Sequence, residues 1–444
     1  MNVMADSVLV IGGGFAGLAA GVALAGAGRR VRLLEAKAHL GGRARSWIDP
    51  VTNSIVDNGQ HLFMGCYQAT LQFLRTVGTL DRIRFQKGLA MCFLERGGRL
   101  TTLECPRLPA PFHLLAGVAR SASFTPREKL EILQLGWRLR SPSGDCNSQL
   151  TVDQWLRRQG QSESLRRNFW DLLCIAAMNE DPHIASAALF ERVLRLALFS
   201  SPEDSRLGLA RVGLSDCYTS AAADYIQARE GRIDFGLPVR KLMLEGNRCT
   251  GVELADGERI QAESVVSAIP SFAFSEILPG ELVQAYRFFG GIASLRPAPI
   301  ISINLWFDRR VTELEFAGLR GTTIQWLFNK GRILGRGENY LALVVSGAHL
   351  IVDRPKAELV AVALEDLADL LPAVQHARVL RSIVVKERQA TFSPSCEVQA
   401  IRPPVSTPIR GLYLAGDWTA TGLPATIEGA VRSGYAAAKM VNSL

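Results

Sequence analysis

No Cys-x-x-Cys occurs among the eight cysteines (Cys66, Cys92, Cys105, Cys146, Cys174, Cys217, Cys249 and Cys396), and no two of the six histidines stand four residues apart. Zinc-finger spacing is therefore missing and no metal site is expected. In a chain this long the thiols read as scattered and buried, as in a reducing compartment. No block of five basic residues and no nucleic-acid motif appears, so nucleic acid is not an expected partner. No basic region precedes a long apolar stretch at the N-terminus, so a secretory signal is not expected. Outside the Gly/Ala-rich segment 8–28 there is no 18-residue uncharged apolar run, so the chain should not span a membrane. Glycine is plentiful at 40 residues but follows no G-X-Y period, which excludes a collagen-like fibre. Charged residues are too few, at 21% against 48% hydrophobic, for a disordered chain.

What is present is enough apolar material for a large core. The 444 residues predict two or three units rather than one. Fifty Lys and Arg against 42 Asp and Glu leave a net charge of +8, spread along the chain. That balance weakly favours an anionic partner, and a membrane surface suits it as well as nucleic acid.

The first fifty residues carry the strongest local signal. Val8-Leu9-Val10-Ile11 reads as a buried parallel strand, and Gly12-Gly13-Gly14-Phe15-Ala16-Gly17 follows at once. Residues 15–28 read as a helix closed by Gly28, and Val31 to Glu35 as a second strand ending in an acid. Gly12 turns the chain out of the strand, Gly14 lets backbone approach a pyrophosphate, and Gly17 lets the helix pack close. The helix start offers N–H groups and positive dipole to phosphate. Glu35 can accept from a ribose hydroxyl, and an acid there disfavours a 2′-phosphate. The next element, Leu40-Gly41-Gly42-Arg43-Ala44-Arg45-Ser46, brings two glycines and a cation to the same diphosphate. NAD dehydrogenases do not usually carry it. It closely resembles flavoproteins of the amine oxidase and phytoene desaturase superfamily.

Later segments extend the resemblance. Arg232–Phe235 and 239–242 read as strands. Residues 251–254 and 258–260 flank the hairpin signal Asp256-Gly257, and 265–269 is a buried strand stopped by Pro270. Leu412-Tyr413-Leu414-Ala415-Gly416-Asp417 is a buried strand ending in Gly-Asp, and 422–430 leads into a helix through 440 whose start would face the flavin N1/O2 edge. The superfamily resemblance implies non-covalent FAD held by Gly12, Gly14, Phe15, Ala16, Gly17, Glu35, Ala36, Gly42, Arg43, Gly59, Gln60, Val239, Gly416, Asp417, Thr426 and Ile427. It also implies a fold class: α/β, with a Rossmann-like FAD-binding domain on a parallel sheet and a discontinuous α+β substrate domain. The expected boundaries are 1–70, 221–275 and 401–444 for the FAD domain, and 71–220 and 276–400 for the substrate domain.

Four further elements narrow the resemblance. They are Asp57-Asn58-Gly59-Gln60-His61, Asn179-Glu180-Asp181-Pro182 before Ala185 and Phe190, Glu387 to Pro394, and Arg402-Pro403-Pro404 with Ala415 to Thr419. Together, and essentially end to end, they resemble the hydroxysqualene dehydroxylase family, with a departure at Glu180-Asp181 where Thr-Pro-like residues are expected. The resemblance implies reduction of hydroxysqualene to squalene by reduced FAD, in squalene or hopanoid formation, with an unidentified electron donor. Such chemistry needs an acid for the leaving oxygen and a water-excluding pocket whose aromatic faces tolerate positive charge.

His61 is the first candidate acid, with a loop-bonded structural histidine as the alternative. Asp57 is a candidate or a turn-former, and Glu387 with Arg388 an ion pair at the pocket edge or a structural pair. Phe392 and Trp418 line the flavin face or sit in the core, while Glu180 and Asp181 read as helix caps. Cys396 does not resemble a covalent flavin attachment site.

Residues 71–220 read as mostly helical, at 67–77, 126–140, 151–158, 162–178 and 184–199. Residues 276–400 read as strands, including 300–307 and 341–345, with a helix at 355–371. The segment 107–140 mixes apolar residues with Arg107, Arg120, Arg127, Lys129, Arg138 and Arg140. It reads either as a half-buried hairpin or as a surface for anionic lipid, which would place a cytoplasmic protein on the membrane face. Two rivals stay open: a carotenoid or squalene desaturase running the flavin in the opposite direction, and a non-catalytic isoprenoid-binding carrier.

Overall fold

The computed structural model describes residues 7–140 and 149–443; Cys146 lies outside them. Five strands form a wholly parallel sheet: β1 (Ser7–Ile11), β2 (Arg30–Glu35), β3 (Arg232–Phe235), β4 (Ser264–Ser267) and β5 (Leu412–Leu414), in the order β3-β2-β1-β4-β5. The apolar runs of the inner strands β1, β2 and β4 are buried, as central parallel strands require, while the edge strand β3 leaves Phe235 exposed. Helix α1 (Phe15–Gly26) packs on this sheet and against α2 (Ile427–Asn442). The contact is close because both helices are small-sided there: a β-carbon on Gly434 would lie 2.3 Å from the Ala16 carbonyl oxygen. Val239–Glu245, Arg248–Leu254 and Arg259–Gln261 form the three-stranded antiparallel sheet that the Asp256-Gly257 signal predicts, with Val252 opposite Ile260.

The second large sheet has seven strands. Across it run Val379–Phe392, Pro297–Phe307, Tyr340–Ser346, Trp326–Asn329, Phe316–Leu319, Ala90–Glu95 and Arg99–Glu104. Period-2 alternation divides its faces. Ile301, Ile303, Leu305, Leu327, Leu341, Leu343 and Val345 pack with Leu359, Ala363 and Leu367 of helix Lys356–Leu370. The residues between them (Trp306, Trp326, Phe328, Tyr340, Ala342 and Val344) turn to the opposite side, where they join the core shared with Phe169, Leu172 and Val56.

Helices Gln68–Thr76, Pro126–Leu139, Val152–Arg158 and Ala187–Leu198 lie close to their expected places. The expected helix 162–178 runs without a gap from Glu163 to Met178, with a π-helical turn inside it at Arg166–Trp170. One expectation needs correction. Residues 71–220 also supply strands Ile83–Phe85, Ala90–Glu95, Arg99–Glu104 and Leu207–Ala210. Ala90–Glu95 and Arg99–Glu104 enlarge a sheet whose remaining strands begin only at Pro297, so periodicity within the segment could not reveal their partners. Among the described residues no helix is long and apolar enough to cross a membrane.

Candidate active site

At the C-terminal ends of β1 and β2 the glycine loop and the Gly41-Gly42-Arg43 loop meet. Gly17 must be glycine, since a β-carbon there would fall 1.9 Å from the Gly12 carbonyl oxygen. Gly42 sits at φ +55°, and its missing side chain would come 3.5 Å from the Cα of Gly14. A β-carbon on Gly14 would meet nothing within 4 Å, so this side of the loop is open. Helix α1 starts there with no side-chain cap and no acid in its first turn. Uncapped N–H groups facing open space are the donor set a diphosphate takes.

Glu35 is buried at the tip of β2. Its carboxylate accepts from the Gly13 N–H at 2.8 Å and the Lys37 N–H at 2.9 Å, which ties the acid to the loop. Leu237 N–H donates to the Glu35 carbonyl at 3.1 Å, so the segment leading to half-buried Val239 runs beside it. Ala36 is exposed. The Phe15 ring turns inward and stacks on Tyr218 at 3.6 Å, leaving only its backbone to the loop, and Ala16 is buried under α2.

The C-terminal segment reaches the same place. Arg43 Nη2 donates to Asp417 Oδ1 at 2.6 Å and Nη1 to the Ala390 carbonyl at 2.8 Å, joining two residues expected at the cofactor from opposite ends of the chain. Gly416 N–H donates to Ser433 Oγ of α2 at 2.7 Å. Thr426 caps α2, its Oγ1 accepting from Gly429 N–H at 3.0 Å, and Ile427 is buried. The open glycine face, the free helix start, the acid at β2 and the Arg43–Asp417 pair fit an FAD diphosphate and ribose.

Sequence reasoning missed two residues that hold this region together. The guanidinium of Arg402 is buried and donates to the carbonyls of Asp417 (2.9 Å), Trp418 (3.3 Å), Leu423 (2.7 Å) and Thr419 and to Thr421 Oγ1 (3.1 Å). Burial pulls its pKa down to about 10, so it stays a cation at neutral pH. Glu428 is also buried and accepts from Ala69 N–H, Thr70 N–H and Thr70 Oγ1 at 2.8–3.1 Å, capping helix Gln68–Thr76 from α2. Arg402 has no local partner that would signal its role, and the one local partner of Glu428, Arg432 four residues on at 2.7 Å, reads as an ordinary helix-surface pair.

Beyond Gly59 and Gln60 lies a small cleft lined by His61, Gln60, Asp57, Lys330, Leu209 and Ile333. His61 Nδ1 lies 3.0 Å from the Gly59 carbonyl. A carbonyl only accepts, so Nδ1 carries the hydrogen and Nε2 keeps its lone pair. Burial pushes the His61 pKa below its ordinary value, which leaves the ring neutral at pH 7.

Asp57 is a buried anchor. It accepts from Lys330 Nζ at 2.6 Å, Ser46 Oγ at 2.8 Å and Leu214 N–H at 3.0 Å. Burial alone would raise its pKa, but the Lys330 ammonium and these bonds turn the shift downward. Lys330, 3% exposed, was not anticipated. The sequence offers no cue for it, because its partner stands 273 residues away.

Several expectations are overturned. Glu387 and Arg388 do not pair: Arg388 is exposed and bonds Asp353 at 2.6 Å, since neighbours on a strand point to opposite faces. Glu387 is half-buried opposite Ile300. Trp418 and Phe392, for which flavin face and core were both open, take the core: Trp418 donates to the Ile269 carbonyl and packs on Phe274, and Phe392 is buried beneath Arg402. Glu180 and Asp181 cap no helix. Glu180 is buried against His349 Nε2 at 3.1 Å, while Asp181 accepts from His183 N–H at 2.8 Å. Asn179, at φ +53°, holds the motif by bonding Thr391 Oγ1, the Ala298 carbonyl and Gly347 N–H. Among the described residues no group of three or more His, Cys, Asp or Glu could hold a metal.

A family model described as flavin containing amine oxidoreductase matches residues 15–442. The chain is 30% identical to the hydroxysqualene dehydroxylase of Rhodopseudomonas palustris and 30% identical to that of Sinorhizobium fredii, each over 99% of both chains. It is 27% identical to a 15-cis-phytoene desaturase of an Oncidium hybrid, over 98% of this chain and 77% of that one. An oxidoreductase from Methanosarcina mazei has the same fold, with a TM-score of 0.74 at 18% identity, covering 99% of this chain and 100% of the other.

Proposed function

The chain belongs to the flavin containing amine oxidoreductase family, an FAD-dependent oxidoreductase with isoprenoid-metabolising relatives, and from that premise we propose that it reduces hydroxysqualene to squalene. The observation that carries this reading is the end-to-end similarity to two hydroxysqualene dehydroxylases. The site's layout supports it: a charged pair and a histidine at one end, and a broad apolar sheet face beyond.

The reaction breaks an allylic C–O bond, releases water and forms a C–H bond. When bound in its reduced form, FAD supplies the hydride. The protein supplies a proton for the departing oxygen, since hydroxide is a poor leaving group. Lys330 is the better donor. It is cationic, faces the cleft with His61, and keeps two N–H bonds free beyond the one to Asp57. His61, neutral and with its Nδ1 hydrogen committed to Gly59, is suited to accept from water or substrate and so to orient the oxygen. The aromatic faces of Trp326, Phe328 and Phe316 suit an allylic carbon gaining positive charge. Gly12, Gly14, Phe15, Ala16, Gly17, Glu35, Ala36, Gly42, Arg43, Gly59, Gln60, Val239, Gly416, Asp417, Thr426 and Ile427 hold the cofactor. The segments 1–70, 221–275 and 401–444 form its domain, with 71–220 and 276–400 around the substrate.

The test is anaerobic. The flavin of the purified holoenzyme is chemically reduced, hydroxysqualene is added in detergent, and reoxidation is followed with product analysis. Reoxidation with squalene formation is expected. Persistent reduced flavin, together with bleaching of oxidised enzyme by phytoene, would instead establish the desaturase.

A further inference from the structure

The face of the seven-stranded sheet that turns toward the site is almost wholly apolar, which makes its polar atoms conspicuous. Thr101 Oγ1, on the far edge strand, lacks a hydrogen-bond partner among the described residues, and so do two atoms nearer the site: Ser302 Oγ and Trp326 Nε1. Both residues are buried, at 1% and 6% exposure. Buried donors without partners are rare in folded proteins, because each has given up water for nothing, and the exceptions concentrate where a ligand binds.

The two are not scattered. Ser302 pairs with Val344 across one ladder and Val344 pairs with Trp326 across the next, so the three stand in one row on one face. The row begins beside the cofactor loop: a β-carbon placed on Gly59 would lie 3.7 Å from His61 Cε1 and 3.9 Å from Ser302 Oγ. Elsewhere on this face the polar groups are satisfied. Tyr340 OH donates to Asn304 Oδ1 at 2.7 Å, and Trp306 Nε1 donates to Ser54 Oγ at 3.0 Å. The unpartnered atoms of these strands thus share one row, which runs on from Trp326 through Gly318 and Phe93 to Thr101, and Ser302 stands at its cofactor end.

We propose that Ser302 and Trp326 recognise the substrate's oxygen. The carbinol oxygen lies over Val344, accepts from the Trp326 indole N–H, and exchanges a hydrogen bond with the Ser302 hydroxyl. This rests on the reading above and deepens it. A hydrocarbon of similar length, including the dehydroxylated product, leaves both groups unpaired. A site built to bond a hydroxyl rejects the analogue that lacks one far more sharply than an apolar pocket separates two hydrocarbons. The pair thus selects the alcohol and loosens the product.

The experiment is a binding titration on oxidised holoenzyme, where no turnover occurs, reading the flavin absorbance as hydroxysqualene or squalene is added in the same detergent. Ser302→Ala removes one polar atom with little change of shape, while Trp326→Phe removes the indole N–H together with part of the ring, a loss of volume that squalene binding controls for. Each is expected to weaken hydroxysqualene about tenfold and leave squalene unchanged, with flavin content and unliganded spectrum as in the parent. Equal weakening of both ligands, or of neither, overturns the proposal. So does a Ser302→Ala protein whose flavin spectrum changes while hydroxysqualene affinity does not, since the hydroxyl would then serve the cofactor. Because the titration needs no catalysis, it answers for the pair even if anaerobic turnover of hydroxysqualene fails and the function reading falls by itself.

Discussion

Lys330 and Asp57 are the residues on which the proposed chemistry turns. Lys330→Met keeps an apolar stem of similar length and removes the proton. Turnover of hydroxysqualene in single-turnover reoxidation should fall about a hundredfold or more, the usual weight of a positioned acid. Substrate binding to oxidised enzyme should be nearly unchanged, and that contrast separates a lost proton donor from a damaged pocket. Both variants break the buried pair: Lys330→Met leaves the Asp57 carboxylate, and Asp57→Asn the ammonium, without its counter-charge, and each should destabilise the fold by about 3–5 kcal/mol. The downward shift at Asp57 also fixes a pH dependence. Its stabilising contribution is full above the ordinary carboxylate range and is lost as pH falls through the depressed folded value. Thermal melts from pH 6 downward should therefore show an acid-side loss in the parent that is shallower in Asp57→Asn. Equal slopes would remove Asp57 from the acid response.

At the scale of elements, the strand–loop–helix–strand unit at 7–35 was legible because every part of it is local: apolar strand, glycines at fixed offsets, helix and acid follow one another within thirty residues. The Gly41-Gly42-Arg43 loop was legible for the same reason. The cleft was not, because Lys330 becomes a site residue only when strand Trp326–Asn329 is laid in the sheet and Asp57 is brought under it. The Glu387–Arg388 pair failed on a local rule that sequence could have applied, the opposite facing of strand neighbours. Arg402 shows what long-range order adds. One guanidinium bonds five oxygens of the 417–423 segment and so shapes the loop that carries Asp417. Arg402→Leu should cost at least about 3 kcal/mol, since several buried carbonyls lose their donor together. It should also release FAD, measured as free flavin after gel filtration. Glu428→Gln removes the charge that caps helix Gln68–Thr76 from α2, and about 1–2 kcal/mol in urea unfolding is expected. Retention of flavin in Arg402→Leu would mean that the loop is shaped by α2 alone.

Viewed as a whole, the molecule carries its exposed apolar side chains unevenly. Leu108, Phe112, Leu115, Leu130 and Trp137 all project from the segment 107–140, with Trp137 at 71% exposure. All but Leu108 sit on helices Phe112–Arg120 and Pro126–Leu139, joined by Lys129 Nζ donating to the Ala119 carbonyl at 2.8 Å. The two acids there are occupied: Glu131 is buried and accepts from Ser162 N–H, and Glu128 closes the capping box with Thr125. The basic side chains remain outside, Arg127 at 84% exposure and Arg140 stacked on the Trp137 ring. Apolar residues among outward cations suit an anionic lipid surface, where the triterpene of the proposed reaction would dissolve. Each basic residue near such a surface contributes about 1 kcal/mol. Replacing Arg120, Arg127 and Arg138 together by Gln should therefore lower partitioning onto anionic vesicles about a hundredfold in a sedimentation assay at low salt. In the parent protein, salt should produce the same loss by screening. Phe112→Ser with Trp137→Ser should weaken binding at all salt concentrations, because apolar insertion is not screened. If parent and triple variant sediment equally with anionic and neutral vesicles, charge has no part in docking, and these helices are an ordinary half-buried hairpin.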